Sequence, residues 1–221
     1  MICIKCGKSK SIENFYKKTN KNINTKCKDC CVKYQRNKYK NNKYKFKELN
    51  KNNRIKLAQQ VDKLKVKPCV DCGNIYEQFC MDFDHINNNK IASISLMVHN
   101  TWSIKNIKKE INKTELVCVL CHKTRTYLRC IKSSNKIILR NANFINSFKP
   151  THCPICNQQR ELWQMEFDHI KGIKKAPIST LVSGRYSLTT IEKEMGKCQI
   201  ICSLCHRRKT FKEGNYKNYS N

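Results

Sequence analysis

Met81-Asp-Phe-Asp-His-Ile86 and Met165-Glu-Phe-Asp-His-Ile170 are nearly one hexapeptide written twice, 84 residues apart. The same offset relates Cys69 to Cys153, Cys72 to Cys156, Cys118 to Cys202, Cys121 to Cys205 and His122 to His206. Lys90/Lys174, Ser103/Ser187, Glu110/Glu194 and Thr126/Thr210 obey it too. Chemically specific residues do not recur in one unbroken register by chance. Segments 67–128 and 151–212 therefore read as two copies of one small module. On this reading 1–66 is a separate N-terminal segment, 129–150 is a linker, and the second module runs on to 221 as a basic tail.

Composition narrows the function. The 221 residues carry 45 Lys+Arg against 16 Asp+Glu, a formal charge of +29, with 16 Cys and 6 His. Residues 1–66 alone hold 20 basic and 4 acidic residues, +16 of that charge. Such a chain expects a polyanionic partner, most often nucleic acid. No apolar run reaches the ~18–20 residues of a membrane helix, and Met1-Ile-Cys-Ile-Lys-Cys6 has no apolar signal segment. The expected location is intracellular, in a host cytoplasm or nucleus or in a virion, without secretion. Abundant Lys, Asn and Ile fit an AT-rich mobile or viral gene. Only 39% of the residues are hydrophobic, so large apolar cores are not expected and small lobes need a staple.

Twelve cysteines supply it. They form six C-x-x-C pairs: Cys3/Cys6, Cys27/Cys30, Cys69/Cys72, Cys118/Cys121, Cys153/Cys156 and Cys202/Cys205. Two such turns brought together give the tetrahedral S₄ geometry of structural zinc. Three Cys₄ zinc sites are expected, one in the N-terminal segment and one in each copy. Disulfides and iron–sulfur clusters are the competing readings, the former disfavoured where thiols stay reduced. Cys31, Cys80, Cys130 and Cys198 remain as small buried or partly exposed thiols.

The alternating runs 79–85 and 163–169 predict strands ending on His85 and His169. A polar loop follows each. Ser103 and Ser187 read as N-caps of helices over 103–113 and 187–197. Leu116-Val-Cys and Ile200-Ile-Cys predict strands leading into the second knuckles, and helices are expected from Cys121 and Cys205 onward. Ile137-Ile-Leu in the linker reads either as a short strand or as a segment packed on a module.

The order C-x-x-C, F-D-H-I, E-I-x-K, C-x-x-C-H-x-x-K/R-T resembles the zinc-bearing HNH endonucleases, in both copies and over about 120 residues; Cys202-Ser-Leu-Cys-His-Arg-Arg-Lys-Thr210 is a close match. The resemblance implies a small, metal-stabilised α+β architecture: an N-terminal zinc module with a basic helix, then two tandem ββα-metal, treble-clef-type modules. It implies that His85 and His169 are general bases toward a water attacking a phosphodiester. A histidine suits this because it ordinarily titrates near neutral pH. It implies that Asp84 with His122, and Asp168 with His206, hold one Mg²⁺ or Mn²⁺ per active module, while zinc is purely structural. One departure stands out. The family's middle Asn, often present as C-x-N-C-H, is replaced by Leu120 and Leu204. Asn100, Asn106 and Asn112 are candidate substitutes in copy one, whereas no Asn lies between Asn157 and Asn215 in copy two. On that ground copy one is expected to cut better, with copy two weak or inactive.

Residues 1–31 are similar to small zinc modules beside phage nuclease domains. After them come Lys33, Arg36, Lys38, Lys40, Lys43, Lys45 and Lys47, interleaved with Tyr34, Tyr39, Tyr44 and Phe46. With few breakers before Pro68, a long basic helix is expected to hold duplex DNA through its phosphates, with steep salt dependence and little base reading. A solvated helix or a disordered tail is the competing reading. Lys123, Arg125, Arg207, Arg208 and Lys209 are further candidate DNA contacts. Two function classes follow: a metal-dependent DNA endonuclease, or a nuclease-like DNA-binding or packaging protein that no longer cuts. RNA is a weaker alternative target.

Overall fold

Each C-x-x-C turn that opens a cysteine cluster is closed in the same way. A backbone N–H returns to the first cysteine's carbonyl: Gly7 to Cys3 at 2.8 Å, Gly73 to Cys69 at 2.9 Å, Asn157 to Cys153 at 2.8 Å. These donors sit at φ of +68°, +71° and +52°. A Cβ is disfavoured there, which explains two glycines and one Asn, the side chain that best tolerates the region. The computed structural model describes residues 1–17, 22–87, 89–130 and 135–214. The basic tail at 215–221 and the leftover thiol of Cys130 lie outside the described residues.

The chain divides into two units, Met1–Asn53 and Arg54–Asn221. In the first, strands β1 (Phe15–Lys17) and β2 (Ile23–Cys27) pair antiparallel, and helix α1 (Lys28–Asn41) starts directly after Cys27. The buried core is Cys3, Phe15 and Cys27, too little to hold a lobe without a staple. Helix α1 buries nothing. Asn42 ends it, its side-chain amide donating to the Lys38 carbonyl at 3.0 Å. Helix α2 (Lys43–Asp62) follows. The basic segment is thus two helices broken at Asn42 rather than one.

The second unit contains both copies. In copy one, strand β3 (Met81–His85) is followed by helices α3 (Ile94–His99) and α4 (Ile104–Ile111), strand β4 (Thr114–Cys118) and helix α5 (Val119–Cys130). Copy two begins with α6 (Lys136–Asn146) and continues with β5 (Met165–His169), α7 (Ile178–Ser183), α8 (Leu188–Met195), β6 (Cys198–Cys202) and α9 (Ser203–Lys212). A 3₁₀ turn, Gln78–Cys80 or Leu162–Gln164, leads into each first strand. Both hairpins have one register: Met81 pairs with Cys118 and His85 with Thr114, as Met165 pairs with Cys202 and His169 with Cys198. Ser103 and Ser187 cap α4 and α8 by accepting from the N–H of Asn106 and Thr190.

The compact units part at Asn53/Arg54. Within 129–150, α6 packs Ile138, Ala142 and Ile145 in one core with Ile178, Leu181 and Ile191, so this segment packs on a module rather than forming a strand. The end of α2 does the same in copy one, where Ala58 and Val61 meet Ile94, Met97 and Ile107. Ala58/Ala142 and Val61/Ile145 keep the 84-residue offset, so the repeat reaches back to these helices. The polar loops also contain short helices, α3 and α7, whose buried Ile, Leu, Met and Val are spaced along one face.

The two copies are fused face to face. Met81, Val117 and Leu120 of copy one share a single core with Met165, Ile201 and Leu204 of copy two. Around it the contacts are reciprocal. Tyr127 on α5 stacks on Trp163 at 4.0 Å and 8°, and Phe211 on α9 stacks on Phe79 at 4.1 Å and 8°. Each such stack contributes about 0.5–1.5 kcal/mol beyond its buried area. Tyr127/Phe211 and Phe79/Trp163 are again 84 apart. No helix among the described residues is long and apolar enough to cross a membrane.

Candidate functional site

The six C-x-x-C pairs assemble into three groups: Cys3, Cys6, Cys27 and Cys30; Cys69, Cys72, Cys118 and Cys121; Cys153, Cys156, Cys202 and Cys205. Within each group all four sulfurs lie within 4.8 Å of one another. Sulfur pairs across the knuckles are 4.0, 4.0 and 3.9 Å apart (Cys6–Cys27, Cys72–Cys118, Cys156–Cys202). A tetrahedron with Zn–S bonds of ~2.3 Å has edges of about 3.8 Å, so each group could hold one zinc ion. The described cysteines are free rather than disulfide-bonded. Backbone N–H groups favour thiolate in the same places. The Cys27 N–H donates to Cys3 Sγ at 3.2 Å and lowers that thiol to about 6. At Cys69 and Cys153 burial works the other way, but backbone donors led by Cys118 and Cys202 outweigh it and leave about 7 and about 6. The leftover thiols behave as structural groups: burial pushes Cys80 up to about 12 and Cys198 up to about 11, and Cys31 donates to the Lys26 carbonyl.

Alternation along β3 sends Asp82 and Asp84 to one face and Phe83 and His85 to the other. His122, in the first turn of α5, meets the acidic face. Its Nδ1 lies 2.9 Å from Asp82 Oδ2 and its Nε2 lies 3.5 Å from Asp84 Oδ1. Copy two repeats this: His206 Nδ1 is 2.6 Å from Glu166 Oε2 and Nε2 is 3.5 Å from Asp168 Oδ1. A carboxylate at Nδ1 is the usual way a ligating imidazole is oriented, with Nε2 left to face the ligand. Adjacent ligands of a six-coordinate cation with bonds of ~2.1 Å are about 3 Å apart. The 3.5 Å pairs are close enough that each Asp and His could share one divalent cation.

On the opposite face, His85 Nε2 is 3.0 Å from Glu110 Oε1, and His169 Nε2 is 2.9 Å from Glu194 Oε1. Both glutamates are almost fully buried. Each is held further by a lysine one turn on, Lys113 or Lys197, and by a backbone N–H, Ile91 or Lys175, at 2.8 Å. At Glu110 burial favours the neutral acid, but Lys113, the Ile91 N–H and His85 prevail and hold it at about 2. Lys197 is the main cause of the same value at Glu194.

Asp84, His85 and His122 converge on one cavity of about 710 Å³, together with Asp82 and Arg207. The environments of the paired aspartates differ. Arg129 spans both oxygens of Asp84 at 2.8 and 2.7 Å, and Arg125 adds a contact at 3.2 Å. Asp168 is bonded by Lys209 and, at 2.7 Å, by Gln199. After the cost of burial, these donors hold both carboxyls below the usual range.

Sequence reasoning missed Asp82/Glu166 and gave Glu110/Glu194 no role. Acidity at both 84-residue positions was the available signal. None of Asn100, Asn106 and Asn112 holds His85. All three are exposed, and the ring partner is Glu110 in one copy and Glu194 in the other. Leu120 and Leu204 are core residues. The expected asymmetry between copies thus finds no counterpart in how the histidines are held. Lys33, Arg36, Lys38, Lys40, Lys43, Lys45 and Lys47 are all exposed. By contrast the five module cations are each paired with an acid of the protein: Lys123 with Glu166, Arg125 with Asp71 and Glu115, Arg207 with Asp82, Arg208 with Glu77, and Lys209 with Asp168. No protein-family model matches the chain, and neither does a curated protein or a solved structure.

Proposed function

We propose that the chain is a DNA endonuclease of the HNH type, in which two ββα-metal modules are fused into one body. The observation that carries the reading is the doubled Asp–His–His arrangement, built with the same geometry 84 residues apart.

A carboxylate holding Nε2 of His85 or His169 keeps a proton on that nitrogen. Nδ1 is then the atom that accepts a proton from water attacking the phosphodiester, as in carboxylate–histidine pairs generally. Asp84 Oδ1 with His122 Nε2, and Asp168 Oδ1 with His206 Nε2, would ligate Mg²⁺ or Mn²⁺, which when bound supplies charge stabilisation at the phosphate and the departing 3′ oxygen. Asp82 and Glu166 orient the ligating rings. Each zinc would clamp the end of one strand to the start of the next helix, which keeps aspartate and histidine at working separation. Exposed lysines of α1 and the start of α2 would supply sequence-independent attraction to duplex DNA.

A second reading, a nuclease-like protein that binds or packages DNA without cutting, draws support from Arg129, which occupies both oxygens of Asp84. Supercoiled plasmid incubated with Mg²⁺ separates the two. The nuclease reading expects nicking or linearisation that EDTA stops, and a ~10²–10⁴-fold slower rate when His85→Ala and His169→Ala are combined. Plasmid that is bound but left intact would establish the second reading.

A further inference from the structure

The carboxylates that orient the ligating histidines also take a cation from the other copy. Asp82 of copy one accepts a two-pronged contact from Arg207 on α9 of copy two, Nη1 to Oδ1 at 2.9 Å and Nη2 to Oδ2 at 2.7 Å. The Oδ2 atom that receives Arg207 is also the one facing His122 Nδ1. Arg207 Nη1 reaches the Phe79 carbonyl at 3.0 Å as well, tying α9 to the turn that leads into β3. In the other direction Lys123, on α5 of copy one, contacts Glu166 Oε1 at 2.6 Å, while Glu166 Oε2 faces His206 Nδ1. Lys123/Arg207 and Asp82/Glu166 both keep the 84-residue offset, so the exchange is reciprocal.

We infer that Arg207 and Lys123 are positioning residues that act across the fusion, each setting the ligating histidine of the opposite copy, so that neither site is complete in a single module. The functional side of this inference rests on the nuclease reading above; the geometric side does not. A carboxylate shared between a cation and an imidazole has both oxygens committed. Its rotamer, and hence the direction of the histidine lone pair, is fixed by two partners rather than one. With the cation removed, the acid can rotate and the imidazole loses the contact that selects its tautomer. The reciprocal aromatic stacks hold α5 and α9 where these cations can reach. The chemistry is matched across the boundary rather than within a copy: the shorter acid, Asp82, faces the forked guanidinium, and the longer one, Glu166, faces the single-point ammonium.

The test reads the imidazoles directly in the zinc-loaded full chain, without DNA or added Mg²⁺. Ring-nitrogen NMR signals of His122 and His206, assigned with His→Gln variants, report tautomer and hydrogen bonding. Arg207→Met and Lys123→Met keep the packed stems and remove the charge. Arg207→Met is expected to shift His122 and leave His206 in place, and Lys123→Met to do the opposite. Arg207→Lys and Lys123→Arg keep the charge but not the matched geometry and should restore only part of the native signal. As a second readout, Mn²⁺ affinity is measured in an Asp168→Ala background for copy one and an Asp84→Ala background for copy two. Each Met variant should weaken only the opposite site, by ~10–100-fold. Effects confined to the variant's own copy, equal at both histidines, or absent from both overturn the inference. A crossed NMR pattern in a protein that never cleaves DNA would retain the positioning role and remove the nuclease reading.

Discussion

The two copies share one strand register but put different residues opposite the candidate aspartate. Glu115 lies opposite Asp84 in the first hairpin, and Gln199 lies opposite Asp168 in the second. Two acids facing each other across a strand pair repel, and copy one answers with Arg125, which bridges Asp84 and Glu115, and with Arg129 on both oxygens of Asp84. In copy two the amide of Gln199 donates straight to Asp168, and Lys209 completes the contact. Position 213, which matches Arg129, is Glu and pairs with Lys209. Identical folds can therefore present the same carboxylate in two electrostatic states. As candidate cation sites the copies would be ranked by the ring of charges around the aspartate and not by the fold.

The largest expected effect tests how far the copies depend on one another. Cys69, Cys118, Cys153 and Cys202 all lie in the one core shared by the two modules, while Cys3 and Cys27 belong to the small core of the N-terminal unit. Structural zinc in small domains contributes on the order of 10 kcal/mol of folding free energy. Cys202→Ala should lower bound zinc from three to two and abolish the cooperative melting of both copies, followed by circular dichroism and Trp163 fluorescence. Cys27→Ala should also lose one zinc but leave that transition where it was. Independent melting of copy one in Cys202→Ala would break the picture of a fused pair.

The next effect sharpens the electrostatic difference. With copy two disabled by Asp168→Ala, Arg129→Ala should tighten Mn²⁺ at Asp84 and His122 by about tenfold, or about 1.4 kcal/mol, because a cation no longer lies on both ligand oxygens. With copy one disabled by Asp84→Ala, Glu213→Ala should change Mn²⁺ binding at copy two by far less, since Glu213 touches Lys209 at 3.7 Å rather than Asp168 itself. Equal native affinities at the two sites would mean that the arginine clamp yields freely to a divalent ion.

Much of the frame was legible in the residues, for reasons that differ from part to part. Spacing alone located all three cysteine groups, because a C-x-x-C turn constrains its own geometry. The unbroken 84-residue offset placed both hairpins and the capped helices at Ser103 and Ser187. What escaped detection depends on tertiary context. The helix at 136–146 shows its apolar face only through its partners Ile178 and Leu181. Asp82 and Glu166 become meaningful only when a helix brings His122 or His206 opposite them. Lys123 on α5 and Arg207 on α9 looked like phosphate contacts because their acidic partners, Glu166 and Asp82, sit in the other copy. A count of net charge does not reveal where each charge is already paired.

The smallest effect concerns a position where the copies solve one steric problem with different residues. Gly73 and Asn157 close the first knuckle of their copies, both in the left-handed region. A Cβ built at Gly73 meets nothing within 4 Å, so Gly73→Ala has no clash to relieve and isolates the backbone term, about 1–2 kcal/mol for a left-handed alanine. Asn157→Gly removes a milder strain but adds conformational freedom to the unfolded chain. These oppose each other, so its net change should be within a few tenths of a kcal/mol. Urea melts of the two variants, with bound zinc checked at three per chain, measure both. If Asn157→Gly instead costs as much as Gly73→Ala, the Asn side chain is making a contact in copy two that glycine does not replace, and the knuckles are equivalent in backbone only.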